Sequence, residues 1–184
     1  MTGEPRIPDK GALRTALLAQ RRALDPQQKA MWDAVLNARV LDWAQQAGVV
    51  QLGVYWPLRG EPDLQPAYAE LARRGVLLVL PVVVARDAAL GFAAWTPGEA
   101  MIKDSMGVAV PEALRPVPAP PALLVPCLGY NTGRYRLGYG GGYYDRTLAG
   151  PDRPFTVGIA YAATLAPFDG ASHDVALDLI LNEA

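Results

Sequence analysis

Between Val49 and Val84 an apolar strand, a capped helix and a second apolar strand follow one another, and this order constrains the fold more than any other feature of the chain. Val49–Trp56 (VVQLGVYW) is β-branched and aromatic, and Gly75–Val84 (GVLLVLPVVV) is an almost unbroken apolar run, so both predict buried strands. Asp63 stands where a helix N-cap is needed, Leu64–Arg74 follows, and Gly75 supplies a residue that accepts left-handed backbone at the helix end. Strand, helix, strand is the unit from which parallel sheets are built.

The flanking sequence extends this pattern. Lys10–Ala23 (KGALRTALLAQRRA) is rich in good helix formers, with Leu13, Leu17 and Leu24 at helical spacing and Arg14, Arg21 and Arg22 among them, which predicts an amphipathic helix with a basic side. Asp25-Pro26-Gln27-Gln28 offers an N-cap, a proline at the first helical position and a glutamine placed to close a capping box, so a second helix is expected to run to about Ala47 and end at Gly48. Ala89–Trp95 is a strand expected to pair antiparallel. Pro116, Pro118, Pro120 and Pro121 make Ala113–Pro121 a stiff extended connector. Ala122–Pro126 is a strand running toward a glycine-rich loop, Tyr143–Ala149 a short helix, and Phe155–Tyr161 and Ala176–Leu181 are further strands. There is no internal repeat. The expectation is one domain over residues 1–184, a three-layer α/β/α sandwich with a mostly parallel central sheet, preceded by a flexible N-terminus over 1–9.

A chain of 184 residues is long enough for one sizeable core. Its formal net charge of −1 provides no global positive field, which argues against nucleic acid and anionic membrane surfaces as partners and leaves any anionic substrate to a local cluster. One cysteine, Cys127, and one histidine, His173, rule out an intramolecular disulfide framework and make a zinc site improbable. Met1–Gly11 lacks the apolar core of a signal peptide, and no segment approaches the ~18 apolar residues of a membrane span. A soluble, cytoplasmic protein is expected.

Chemistry concentrates in Gly133–Asp145 (GRYRLGYGGGYYD), between an apolar strand and a short helix. Glycines let backbone N–H groups approach an anion closely. The run lacks the Gly-Lys-Ser/Thr ending of a P-loop and the spacing of a dinucleotide fingerprint. Taken alone, three glycines fit a flexible surface loop equally well. Their neighbours favour phosphate: Arg136 and Arg146 can neutralise it, tyrosines can stack or donate, and Asp145 can hold a metal through oxygen.

Val125-Pro126, an aromatic at Tyr130 and RLGYGGGYYDRTL together resemble the signature of the 5-formyltetrahydrofolate cyclo-ligases, also called methenyltetrahydrofolate synthetases. Lys10-Gly11-Ala12-Leu13-Arg14 is similar to the family's N-terminal Lys-x-x-Leu-Arg, Tyr55–Asp63 (YWPLRGEPD) to its Tyr…Gly-Glu-x-Asp block, and His173-Asp174 through Asp178 to Glu183 to its C-terminal end. In order, these blocks cover nearly the whole chain. The resemblance implies a fold similar to that of NagB/RpiA/CoA-transferase-like proteins, and a monomer that uses ATP and Mg2+ to close 5-formyltetrahydrofolate into 5,10-methenyltetrahydrofolate, releasing ADP and phosphate.

Carried over residue by residue, the resemblance makes Lys10 and Arg14 the N-terminal ATP contacts, with Arg136, Leu137, Gly138, Tyr139, Gly140, Gly141, Gly142, Tyr143 and Tyr144 wrapping the nucleotide. From the residues alone, Lys10 and Arg14 read as a solvated helix face. Trp56, Glu61 and the Tyr139–Tyr143 stretch, including Gly140, Gly141 and Gly142, are implied on the folate side. Asp145 and Asp174 are implied for Mg2+, and Arg136, Tyr143 and Asp145 for catalysis. Asp178, inside an apolar strand, is expected to point outward. Phe92 and Trp95 read as core, His173 as structural, and Cys127 as lacking a base that would activate it.

Three departures from the family pattern stand out. Tyr130-Asn131 replaces Phe-Asp, Arg134 takes a position often held by glycine, and Val110 replaces a glutamate. Loop entry is expected to differ, and Val110 cannot supply what that carboxylate does. Two other readings stay open on sequence: a phosphosugar isomerase or CoA-transferase-like enzyme, which needs a catalytic glutamate or acid/base pair but no ATP, and a non-catalytic folate- or nucleotide-binding module.

Overall fold

The computed structural model describes residues 9–58 and 60–184, so the expected flexible N-terminus lies outside the described residues except for Asp9. In chain order the elements are α1 (Lys10–Arg22), α2 (Pro26–Gln46), β1 (Gln51–Gly53), α3 (Gln65–Arg73), β2 (Leu77–Val83), β3 (Leu90–Trp95), β4 (Met101–Lys103), β5 (Ala109–Pro111), β6 (Pro116–Val117), β7 (Ala122–Pro126), β8 (Gly129–Tyr130), β9 (Arg136–Leu137), α4 (Tyr143–Leu148), β10 (Phe155–Ile159) and β11 (Leu179–Leu181).

The helices begin where their caps dictate. Asp9 accepts from the N–H groups of Gly11 and Ala12, and Asp25 from those of Gln27 and Gln28 with Pro26 in the first turn, which satisfies donors that have no intrahelical partner. Asp63 accepts from Gln65 N at 3.0 Å, yet Leu64 is the residue at the N-cap of α3. Gly48 and Gly75 take positive φ (62° and 88°) just beyond α2 and α3, where a side chain would be strained.

The main sheet has seven strands in the order β11-β10-β7-β1-β2-β3-β6. The four pairings from β11 to β2 are parallel, and β2–β3 and β3–β6 are antiparallel. The expected antiparallel Ala89–Trp95 strand is therefore present. The proline connector gains a role as well, because Pro116-Val117 pairs with β3 at the sheet's edge, a place where a missing N–H is tolerated. β1 has three residues where eight were expected. Val54 still donates to Val79 O at 2.9 Å, and then the chain leaves the sheet so that the Tyr55 hydroxyl can reach Pro62 O at 2.8 Å.

Alternation along the strands feeds two apolar layers. On one face Leu52, Leu78, Leu80, Leu124, Val157 and Ile159 meet Leu36, Val40 and Ala44 of α2 and Ala67, Tyr68 and Leu71 of α3. On the other, Val79, Phe92, Leu123 and Val125 meet Leu148 of α4 and Leu177. The result is a mixed, mostly parallel α/β sandwich with a thinner second layer. Phe92 and Trp95 are core residues, 4 % exposed each. The end of α1 instead joins Leu17 to Leu128, Leu137 and Phe168, tying that helix to the loop that follows β7. No described helix is long and apolar enough to cross a membrane.

Asp178 does not point outward. It lies just before β11 and accepts both Arg153 guanidinium nitrogens, at 2.7 and 2.8 Å, together with the Thr156 backbone and hydroxyl. Val110 is buried with Val82 and Ala93, so the position where the family carries glutamate is an apolar contact here.

Candidate functional site at the switch point

Chain connections leave the sheet in opposite directions from two adjacent strands. β1 continues through α3 to β2 on one side, and β7 continues through α4 to β10 on the other. Open α/β sheets bind ligands in the crevice beyond the carboxyl ends of such strands. Here the loop after β1 carries Trp56 and Glu61, and the loop after β7 leads into Arg136–Tyr144.

These two loops touch, and α1 lies against both. Arg14 Nε donates to Gly138 O at 2.8 Å. The Tyr139 hydroxyl donates to Glu61 Oε1 at 2.9 Å and accepts from Arg21 Nη2, while Glu61 Oε2 accepts from Leu58 N at 2.8 Å. Glu61 is 4 % exposed, and burial raises its carboxyl pKa above the ordinary range. The Leu58 N–H, Tyr139, Arg21 and Arg136 all pull the other way, favouring the carboxylate. Burial, then Glu61, lifts the Tyr139 phenol to about 12, so it serves as a neutral hydrogen-bond donor.

Glycine is required in the loop for two separate reasons. Gly140 and Gly142 have φ of 97° and 66°, a left-handed region that side chains avoid, and Gly142 caps α4 in that conformation. At Gly138 space decides, since a Cβ would lie 2.5 Å from Arg136 Nη2. Arg136 itself donates to Pro126 O at 3.1 Å and lies 4.8 Å over the Tyr144 ring. Tyr144 is driven well above its usual pKa by burial, with Arg136 opposing. Arg146 pins the loop from the far side, donating to Gly141 O at 2.7 Å and Ala88 O at 3.1 Å and lying 5.0 Å over the Tyr143 ring.

Lys10 and Asp174 form an ion pair at 2.6 Å, and Asp174 also accepts from Ala171 N. Burial works against ionisation of Asp174, but Lys10 and the Ala171 N–H prevail and hold its carboxyl below the usual range. Asp145, in the first turn of α4, makes no side-chain hydrogen bond or ion pair among the described residues. No group of three metal-binding side chains is present among the described residues. A Mg2+ ion that bridges phosphates needs only one or two protein carboxylates, and Asp145 fits that role. Asp174 would fit only after releasing Lys10.

The structure thus gathers Arg14, Gly138, Tyr139 and Glu61 into one seam and pairs Lys10 with Asp174 and Arg136 with Tyr144. Trp56 stacks edge-on against Trp95 at 5.9 Å, on the core side of the same loop. The residue missed on sequence is Arg21. Instead of joining a solvated basic side it is 3 % exposed. The available signal was its spacing, two helical turns beyond Arg14 and one beyond Leu17. Cys127 is buried and its thiol is pushed up to about 12, which makes it inert. The loop entry is also explained. Arg134 takes a left-handed φ of 61°, the conformation glycine would supply, and its Nε donates to Leu177 O at 3.0 Å. Asn131 bonds Phe168 O and Tyr135 N, closing the turn.

Fold and site together define a mostly parallel α/β protein with a glycine- and arginine-rich loop at its switch point. The chain belongs to the 5-formyltetrahydrofolate cyclo-ligase family, whose model matches residues 6–183. It is 28 % identical over 177 residues to the 5-formyltetrahydrofolate cyclo-ligase of Mycoplasma pneumoniae, covering 95 % of this chain and 99 % of that one. It is also 28 % identical to the Escherichia coli K12 enzyme of the same name over 148 residues, covering 78 % of this chain and 81 % of the relative. Among solved structures, the 5,10-methenyltetrahydrofolate synthetase of M. pneumoniae superposes with a TM-score of 0.76 at 27 % identity, covering 96 % of this chain and all of the other. That of Aquifex aeolicus superposes at 0.81 with 24 % identity, covering 95 % and 89 %, a likeness of fold.

Proposed function

We propose that this chain couples cleavage of ATP to ADP and phosphate to ring closure of 5-formyltetrahydrofolate. The formyl oxygen attacks the γ-phosphorus of ATP, the bond to the bridging oxygen breaks, and ADP leaves. N10 then attacks the activated carbon and loses its proton, and phosphate departs with the C–O bonding pair to leave 5,10-methenyltetrahydrofolate. No protein nucleophile is needed, because phosphorylation makes a poor electrophile reactive and a poor leaving group good. The protein's contribution is positioning and charge neutralisation.

The observation that carries this reading is the seam in which Arg14, the Gly138-Tyr139 segment and Glu61 meet, because it brings a glycine- and arginine-rich loop against a buried carboxylate. Arg136, Arg14 and Lys10 supply positive charge for the phosphates, and the glycines allow close backbone approach. Glu61 suits the amide and amino donors of a pterin. Mg2+, held by Asp145, would neutralise phosphate charge. Tyr143, at the start of α4, faces the transferring group in this reading.

The test is incubation of the purified protein with 5-formyltetrahydrofolate and Mg-ATP, followed by the near-ultraviolet absorbance of the methenyl product. Product is expected only with ATP present; none would overturn the reading. Asp145→Ala and Arg136→Ala should each lose about a hundredfold or more in turnover while keeping the wild-type circular dichroism spectrum. Wild-type activity in either would remove that residue from the site.

A further inference from the structure

The Glu61 loop and the glycine-rich loop come from opposite sides of the switch point, and the buried Arg21 touches both. Arg21 Nη2 donates to the Tyr139 hydroxyl, and the guanidinium lies 5.8 Å from the Tyr139 ring centroid. A Cβ on Gly60 would meet Arg21 Cγ at 3.6 Å, so the stem of Arg21 packs along the loop that carries Glu61. Its Nε is buried without a hydrogen-bond partner among the described residues. A charged group with an unmatched buried donor costs stability, and the tolerance of that cost at this point calls for an explanation.

We propose that Arg21 is a positioning residue for the folate side of the site: acting through the Tyr139 hydroxyl, it sets the orientation and charge of the Glu61 carboxylate and holds the two walls in register. This rests on the folate reading of Glu61 given above. The relay runs from Arg21 to Tyr139 to Glu61, with Tyr139 accepting from one and donating to the other. Without Arg21, Tyr139 keeps its bond to Glu61 but its hydroxyl loses the Arg21 donor, and Glu61 loses a nearby positive charge. The other titratable groups that act on Glu61 or feel its charge are Arg136 from β9, Tyr144 from α4, Tyr68 from α3, and Tyr55 and Cys127 from the loops after β1 and β7. Of these Arg136 is the cationic one among the described residues, and Arg21 adds positive charge beside Glu61 to it.

The direction of the pH effect follows. Burial already raises the Glu61 pKa and Arg21 counteracts it, so removing Arg21 moves the protonation of Glu61 to higher pH. If folate recognition needs the carboxylate, the acid limb of folate binding moves upward with it.

Arg21→Met, Arg21→Lys and Tyr139→Phe would be compared with wild type for KM of each substrate, kcat and the pH profile of 5-formyltetrahydrofolate binding by calorimetry. Arg21→Met is expected to raise KM for 5-formyltetrahydrofolate about ten- to a hundredfold while changing KM for ATP by less than about threefold. Its acid limb should shift to higher pH, Tyr139→Phe should shift it the same way, and Arg21→Lys should recover part of both effects. Equal losses toward ATP and folate, or an unmoved acid limb, would overturn the proposal. If Arg21→Met does not fold, Arg21→Lys and Tyr139→Phe decide the matter by the same two readouts. A wild-type protein that neither turns over nor binds 5-formyltetrahydrofolate would instead remove the folate reading itself.

Discussion

Gly138 and Arg136 show how one missing side chain can place another. The Arg136 guanidinium occupies the space a Cβ on Gly138 would claim, with distances of 2.5 Å to Nη2 and 2.7 Å to Nη1. Because the obstructed atoms are the far end of a flexible side chain, Gly138→Ala should leave the fold intact and displace only the guanidinium from Pro126 O and the Tyr144 ring. We expect a rise of about tenfold in KM for ATP, the scale of one misplaced charge-assisted contact, with an unchanged melting temperature. Steady-state kinetics beside a thermal melt checks both parts, and a folding defect with normal KM would show that the glycine serves the backbone. At this scale the sequence was a good guide where spacing carried chemistry. Arg14, Glu61, Gly138 and Tyr139, singled out on sequence in separate blocks, lie together in space. It misled where burial reverses a residue's usual preference: arginines are mostly solvent-facing, so Arg21 read as part of a charged side until α1 packed on two loops.

Among the elements, helices were easier to read than strands, because Asp25, Gly48 and Gly75 mark helix ends by local chemistry that needs no tertiary partner. Strand ends depend on pairing. β1 stops at Gly53 although VYW continues the β-type pattern, and the edge pairing of Pro116-Val117 needed β3 to be in place. The C-terminal edge shows the same dependence. Asp178 looked like an outward residue of an apolar strand, whereas it clasps Arg153 and Thr156 and ties β11 to β10. Its carboxyl is held at about 2, chiefly by Arg153, below its ordinary range near 3.8. A depressed folded pKa contributes stability that is complete above the unfolded value and fades as pH falls through the folded one. The side chain is partly exposed, so solvent screening reduces the gain to about 1 kcal/mol at neutral pH. Asp178→Asn should therefore be less stable than wild type by about that amount at pH 7 in urea unfolding, with the gap closing between about pH 4 and pH 2. A gap that does not depend on pH would assign the clasp to hydrogen-bond geometry rather than to charge.

For the molecule as a whole, what matters is that both proposed ligands address one loop at one switch point. Parallel strands β1 and β7 meet only at Gly53 and Leu123, and the loops that follow them are joined beyond the sheet by Tyr139 and Glu61. Gly140 and Gly141 are exposed, so this part of the loop, though held at Gly138 by Arg14 and at Gly141 by Arg146, has conformational freedom to give up when a ligand orders it. Whichever ligand binds first meets that cost, and the second finds the loop already ordered, which produces positive coupling without any new contact between the ligands. Each ligand alone at about a hundred times its Kd should stabilise the fold by about 2.7 kcal/mol. For a chain of this length that corresponds to a rise in Tm of about 5–10 °C. With a non-hydrolysable ATP analogue and 5-formyltetrahydrofolate present together, the rise should exceed the sum of the two separate rises, and the affinity of each ligand should improve by the same factor when the other is bound. Thermal melts and reciprocal titrations measure both quantities. Strict additivity would mean that the glycine-rich loop is already ordered in the free protein, and that the Arg21–Tyr139–Glu61 relay, rather than either ligand, is what orders it.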